Sequence, residues 1–471
     1  MPLSPARQEL RQLALLLAPI LLSQLAQAAY GALDTVMAGQ ASALDLAGVA
    51  MGSSLWLPVL LLVWGVLMAT TPLVAEAWGA QKPKEIPGIA HQSLWLGLFL
   101  GIAGFVLLRH LQPLFSLLGV PENLRDITQH YLEGISWGMT AVALFSVLRC
   151  YCEGLGRPTP IMVISVLGLP LNALGNYVLI YGHFGLPRLG GAGCGWATAL
   201  TQWILLLLLM AYVLGARAFA PTRLLQAFEW PHKAALLRFL RLGIPIGIAI
   251  FFEVSVFCVV ALLISPLGAQ VVAGHQIAFS VTGLLFMFPL SLALAMTIRV
   301  GQAYGRRDMA AIRLTRRIGL RTTTAMAIIS STGIVLLRWP LTALYTPDPA
   351  VQALAGRLLL FAAAYQIFDA LQVGAAGILR GIQDMRGPMI MTSIAYWVVA
   401  VPVGYTLGLT LLFGREWGPQ GLWMGLVAGL LAAAVLLNWR LRTQLQMLKG
   451  RWDTESGEPR KETVGWVGPR R

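Results

Sequence analysis

The sequence predicts an all-α membrane protein of twelve transmembrane helices arranged as two pseudo-symmetric six-helix lobes. Three observations predict it: the composition, a succession of apolar runs of membrane-spanning length, and an internal repeat. Of 471 residues, 57% are hydrophobic and 11% charged, with a mean hydropathy of +0.72. A typical soluble domain carries about 25% charged residues, so a large water-exposed globule is excluded. The net charge of +14 would suggest nucleic acid on a soluble chain. Here the basic residues sit between apolar runs, membrane topology accounts for them, and no nucleic-acid partner is expected.

A hydrocarbon core about 30 Å thick needs about 20 mostly apolar residues per helix. Twelve runs fit: 13–38, 46–77, 92–114, 128–152, 159–183, 191–216, 240–264, 270–300, 318–340, 350–378, 388–413 and 420–442. The first follows Arg7 and Arg11, as a signal peptide would, but it lacks a cleavage site and continues past Asp34, so it reads as a retained helix. The second and fourth carry Glu76 and Glu133, assigned structural or interfacial roles. The fifth has Asn172 and Asn176 one turn apart after Pro170, and the sixth has Thr198 after a Gly-rich start. These amides suit either a polar network around Asp34 or ordinary interhelical packing.

In the seventh run Glu253 lies near the middle, with no Lys or Arg on that helix between Arg241 and its outer end. Charged groups are costly in hydrocarbon, so a carboxylate there either holds a proton or binds a cation. The eighth begins near His275, read as structural. In the tenth, Asp369 follows Tyr365 by four residues, so the two share a face, either as a Tyr–Asp hydrogen bond or as a site for a monovalent cation or organic ammonium. Cys150, Cys152, Cys194 and Cys258 suggest neither a disulfide framework nor a metal site.

Counting Lys and Arg on alternate connections gives 28 on one side and 6 on the other. The positive-inside rule then predicts both termini in the cytoplasm. A shift of 226 residues superposes Pro19 on Pro245, Ala47-Gly48 on Ala273-Gly274, Ser54 on Ser280 and Gly79 on Gly305. One residue more sets Glu153-Gly154-Leu155 against Arg380-Gly381-Ile382. Six helices per half is an even number, so the repeats are parallel, as in transporters that bind substrate between such repeats. The expected domains are an N-lobe (1–216), an interlobe linker (217–239), a C-lobe (240–449) and a disordered tail (450–471). The acids are not symmetry mates, since Asp34 maps onto Val260 and Glu253 onto Gln27.

No phosphate loop is present, which argues against ATP-driven transport. No convergent His/Ser/Asp set appears, so no catalytic residue and no enzyme is expected. A channel or receptor would lack a role for the duplicated acidic lobes. A flippase for a lipid-linked precursor is the nearest alternative, although intramembrane acids favour cationic cargo.

Several segments together resemble the multidrug and toxic compound extrusion (MATE) family, in its NorM-type branch. They are Asp34-Thr35-Val36-Met37-Ala38-Gly39, Ala69-Thr70-Thr71-Pro72-Leu73-Val74-Ala75, Phe251-Phe252-Glu253-Val254, Ala273-Gly274-His275-Gln276, Thr297-Ile298-Arg299-Val300-Gly301, and Asp369 with Gly377-Ile378-Leu379-Arg380-Gly381. The resemblance implies a monomeric antiporter of a bacterial inner membrane that exports cationic amphipathic drugs in exchange for inward sodium ions or protons, with no other cofactor. It further implies an N-lobe polar site of Asp34, Asn172, Asn176 and Thr198. Its cation-coupling residues would be Glu253, Tyr365 and Asp369 with Asp34, and Glu253 and Asp369 would be the candidate sodium ligands. Some members of other branches carry a second acid where this chain has Asn176.

Overall fold

A computed structural model describes all residues except 1–3, 112, 114, 116–120, 223, 225–227, 411–416 and 456–471. Twelve helices are long and apolar enough to cross a membrane among the described residues. They are α1 (Pro5–Ala41), α2 (Ala43–Gly79), α3 (Ile86–Arg109), α4 (Leu124–Gly154), α5 (Thr159–Tyr181), α6 (Ala192–Gly215), α7 (Lys233–Leu267), α8 (Ala269–Gly305), α9 (Met309–Tyr345), α10 (Pro349–Gly381), α11 (Arg386–Leu409) and α12 (Pro419–Glu455). In hydrocarbon every backbone N–H and C=O must be satisfied within the segment, which is why uninterrupted apolar runs become helices. Many ends extend beyond the apolar run, because a helix continues into the polar interface.

The chain forms two compact units, one of Ala18–Gly247 and one of Met1–Leu17 with Ile248–Arg471. In the first, α4 packs on α2, α3 and α6; in the second, α10 packs on α8, α9 and α12. The organising helix and its neighbours are each six helices apart, so the sequence repeat is also a repeat of packing. Close approach depends on small residues. A Cβ at Gly195 of α6 would lie 2.3 Å from the Tyr131 carbonyl oxygen of α4, and one at Gly377 of α10 would lie 2.5 Å from the Ala293 carbonyl oxygen of α8.

The unit boundaries fall elsewhere than the expected lobes. Glu9 accounts for the N-terminal assignment: its carboxylate accepts from Arg299 Nε at 3.1 Å, Arg299 Nη2 at 2.5 Å and Thr315 Oγ1 at 2.6 Å, fixing the start of α1 to α8 and α9. Of residues 217–239, expected to be a linker, 233–239 begin α7, and Leu224, Glu229, Trp230 and His232 are hydrogen-bonded to α3. A His91 ring nitrogen lies 2.8 Å from the Leu224 carbonyl, Gln92 Nε2 donates to the Trp230 carbonyl at 2.8 Å, and Trp95 Nε1 donates to the Glu229 carbonyl at 3.1 Å. Buried side-chain donors next to an irregular chain satisfy its carbonyls, which holds this segment in the first unit. Residues 450–455 of the expected tail continue α12, and 456–471 lie outside the described residues.

α1 passes from one unit to the other after Leu17 and α7 after Gly247. Each holds an internal proline, Pro19 and Pro245, within two residues of that point. A proline inside a helix removes one hydrogen bond and bends the axis.

Candidate functional site

The first unit brings Asp34, Asn172, Asn176 and Thr198 together. Asn176 Nδ2 donates to Asp34 Oδ1 at 2.6 Å, and Thr198 Oγ1 donates to Asp34 Oδ2 at 2.9 Å. Asn172 Nδ2 in turn donates to Thr198 Oγ1 at 3.1 Å, and all four residues are buried. The sequence places the donors through local chemistry. Asn172 and Asn176 lie one turn apart on α5, and the Gly-rich start of α6 lets it close on α5, since a Cβ at Gly193 would meet the Leu179 backbone at 2.8 Å. Every donor to Asp34 is neutral, and Asn176 Oδ1 is buried with no hydrogen-bond partner. A carboxylate without a cationic partner and an unused amide oxygen beside it form a site that attracts a proton or an organic cation.

The second unit holds Glu253 on α7 with Tyr365 and Asp369 on α10. Asp369 is 1% exposed, and neither of its carboxylate oxygens has a hydrogen-bond partner. The spacing left open a Tyr365–Asp369 hydrogen bond; it is not formed. Instead the Tyr365 ring packs against Phe257 and Trp423, with centroids 6.2 and 6.3 Å away. Glu253 and Asp369 interact electrostatically, so two acids share one region. Among the described residues no three of His, Cys, Asp and Glu gather as a metal site. Tyrosine and amide side chains lie beside these acids.

Those amides and tyrosines are the part the sequence reading missed. The Tyr396 hydroxyl, on α11, lies 3.2 Å from Glu253 Oε1 and 2.7 Å from Gln372 Oε1. Gln366 is buried with both side-chain polar atoms unpartnered. Gln366, Asp369 and Gln372 repeat at three-residue spacing, a polar stripe within an apolar helix that was available as a signal. Tyr396 gives none, because its role depends on tertiary placement. A positive charge reaches Glu253 from another helix: Arg380 of α10 acts on it electrostatically, and Arg380 Nη1 is buried with no hydrogen-bond partner.

The repeat-matched position in the first unit is built differently. Gln27, which the 226-residue shift sets on Glu253, accepts from Arg149 Nη1 at 3.3 Å. Arg149, 2% exposed, also donates to Gln24 Oε1 at 2.8 Å and to Glu153 Oε1 at 2.8 Å. This cluster is neutral overall and its guanidinium is enclosed by oxygens.

The sequence profile of the MatE family matches residues 19–178 and 245–406. The chain belongs to the MatE family. Its two matched stretches begin 226 residues apart, the offset of the repeat. Among curated relatives, a probable multidrug resistance protein NorM from Acinetobacter baylyi is 49% identical over 92% of this chain and 96% of its own length. The multidrug resistance protein PmpM from Pseudomonas aeruginosa is 47% identical over 92% and 91%. These relatives place the MatE chain in the NorM-type branch, as a membrane transporter and not an enzyme. Solved structures share its fold. A eukaryotic MATE transporter, AtDTX14, aligns with a TM-score of 0.84 at 19% identity, covering 95% of this chain and all of its own. An outward-facing multidrug resistance MATE transporter aligns with a TM-score of 0.84 at 21% identity, covering 96% of this chain and all of its own.

Proposed function

We propose that this MatE protein exports cationic, amphipathic compounds by alternating access, driven by inward movement of sodium ions or protons. The observation that carries the reading is Asp369, an acid held in a membrane-spanning helix with no hydrogen-bond donor and no ion pair among the described residues. Such a group costs several kcal/mol unless an ion occupies it, so ion binding and release there are strongly linked to the state of the protein. The multidrug resistance names of two relatives with near-half identity support the cargo.

On this reading Glu253, Tyr365 and Asp369 take the coupling ion, and Asp34 with Asn172, Asn176 and Thr198 holds the cationic cargo or a proton. Exchange requires each ligand to favour a different state of the carrier, since a ligand that binds both equally shifts nothing. Neutralising the acids by an inward ion lowers the affinity for organic cations and releases them outside. The distribution of Lys and Arg supports a bacterial inner membrane orientation with both termini in the cytoplasm, and the chain acts as a monomer.

The test is ethidium efflux from proteoliposomes with sodium and proton gradients imposed separately, on the wild type and on Glu253→Gln. Export driven by one or both gradients, and lost in Glu253→Gln protein that still folds, is expected. Wild-type export by Glu253→Gln, or no response to either gradient, overturns the proposal, and the second result turns attention to a lipid-linked precursor as cargo.

A further inference from the structure

The two contacts of the Tyr396 hydroxyl cannot both be made with the one proton it carries. Glu253 Oε1 at 3.2 Å and Gln372 Oε1 at 2.7 Å are both acceptors, and a hydroxyl donates once. A charged Glu253 claims the donor, because hydrogen bonds to ionised groups are about twice as strong as neutral ones. A Glu253 occupied by sodium, or protonated and so itself a donor to the hydroxyl oxygen, no longer needs that proton, and the hydroxyl is then free to donate to Gln372.

The backbone under Tyr396 is unusual as well. Residues Ile394–Ala400 form a π-helical turn within α11, a wide turn that is rare and occurs most often at functional sites. Pro402 lies two residues past its end and lacks the N–H that would serve the Val398 carbonyl inside the turn, which favours widening at this place. Glu253 belongs to α7 and Gln372 to α10, so the choice of acceptor decides which helix the wide turn is tied to.

From this we propose that Tyr396 is a positioning residue of the coupling-ion site. Its hydroxyl holds α11 to α7 when Glu253 is empty and to α10 when an ion occupies Glu253. The inference rests on the proposed function, because it needs an ion at Glu253. The other groups acting on Glu253 are Gln372 itself, whose side chain hydrogen-bonds it, Asp369 and Tyr365 on the same helix, and Arg380 at that helix's end. Of these, Gln372 alone bonds to the Tyr396 hydroxyl.

The experiment follows ethidium bound to the purified full-length chain in nanodiscs by fluorescence anisotropy. Sodium is titrated at fixed pH, and acid is titrated without sodium. In Tyr396→Phe the empty Glu253 loses a donor, so the ion that releases ethidium should act at about tenfold lower concentration, the size expected for a hydrogen bond to a charged group. Gln372→Met removes the competing acceptor together with Gln372's own hydrogen bond to Glu253, so it serves as a background, on which Tyr396→Phe should still lower the midpoint by more than twofold. Glu253→Gln should abolish the ion response. A Tyr396→Phe midpoint within twofold of its parent in either background, or a higher one, overturns the role of Tyr396 while a silent Glu253→Gln leaves the proposed function standing. A wild-type ion response in Glu253→Gln overturns both. If Tyr396→Phe does not fold, Tyr396→Leu, which also removes the hydroxyl, decides by the same twofold criterion.

Discussion

Both carboxylate oxygens of Asp34 accept hydrogen bonds from neutral donors, whereas both oxygens of Asp369 have none. Arg149 and Glu153 show the third way to bury a charge, with a partner of opposite sign and oxygens on the remaining donors. Breaking a buried pair leaves the other charge uncompensated and costs about 3–5 kcal/mol. Arg149→Met should therefore lower the melting temperature of the detergent-solubilised protein sharply, and adding Glu153→Leu should restore much of the loss. Equal melting temperatures for the single variant and the wild type would show that the pair is not needed for stability. At this scale the sequence was informative where chemistry is local. Asp34, Glu253 and Asp369 stand out because acids are rare in apolar runs, and Asn172 and Asn176 because they recur at one turn. Tyr396 and Arg380 did not, because a tyrosine or an arginine in such a chain takes its meaning from the helix it faces.

The twelve helices follow directly from runs of apolar residues, and their order was legible throughout. Their ends were not, since a helix extends into the interface without any hydropathy signal, as the start of α1 at Pro5 and the reach of α12 to at least Glu455 show. The π-helical turn of α11 was equally hidden, although Pro402 marks its C-terminal side. The packing of α4 on α6 gives a prediction of its own. Gly195→Leu places atoms where the Tyr131 carbonyl already stands, so α4 and α6 must separate, at a cost of about 1–3 kcal/mol or more. Gly283→Ala, with open space around its Cβ position, should leave stability unchanged within about 1 kcal/mol. Thermal unfolding of the two variants side by side checks both, and equal behaviour would show that close helix approach at Gly195 does not limit stability.

For the whole molecule, the duplication was readable because prolines, glycines and small residues recur at a fixed offset, and the same offset separates the two stretches matched by the family profile. The division of the chain into units was not readable. It depends on Glu9 reaching Arg299 and Thr315, and on His91, Gln92 and Trp95 capturing the segment that follows α6. Topology carries the remaining prediction. With 28 of 34 basic residues on one side, a green fluorescent reporter fused after Arg471 should fold and fluoresce in the cytoplasm, and an alkaline phosphatase fused there should be inactive. Active phosphatase would reverse the orientation.

The cluster around Arg149 has a consequence for how the two halves diverged. Where Gln27 and Glu153 of one copy enclose the Arg149 guanidinium, the other copy has Glu253 in place of the neutral glutamine and Arg380 in place of the glutamate, so acid and base stand at different matched positions in the two copies. One descendant of the ancestral half keeps its positive charge tethered to the chain by covalent bonds. The other keeps Arg380 but sets Asp369 beside Glu253, so on the proposed function its second acid must draw a positive charge from the surrounding water in every cycle and let it go again.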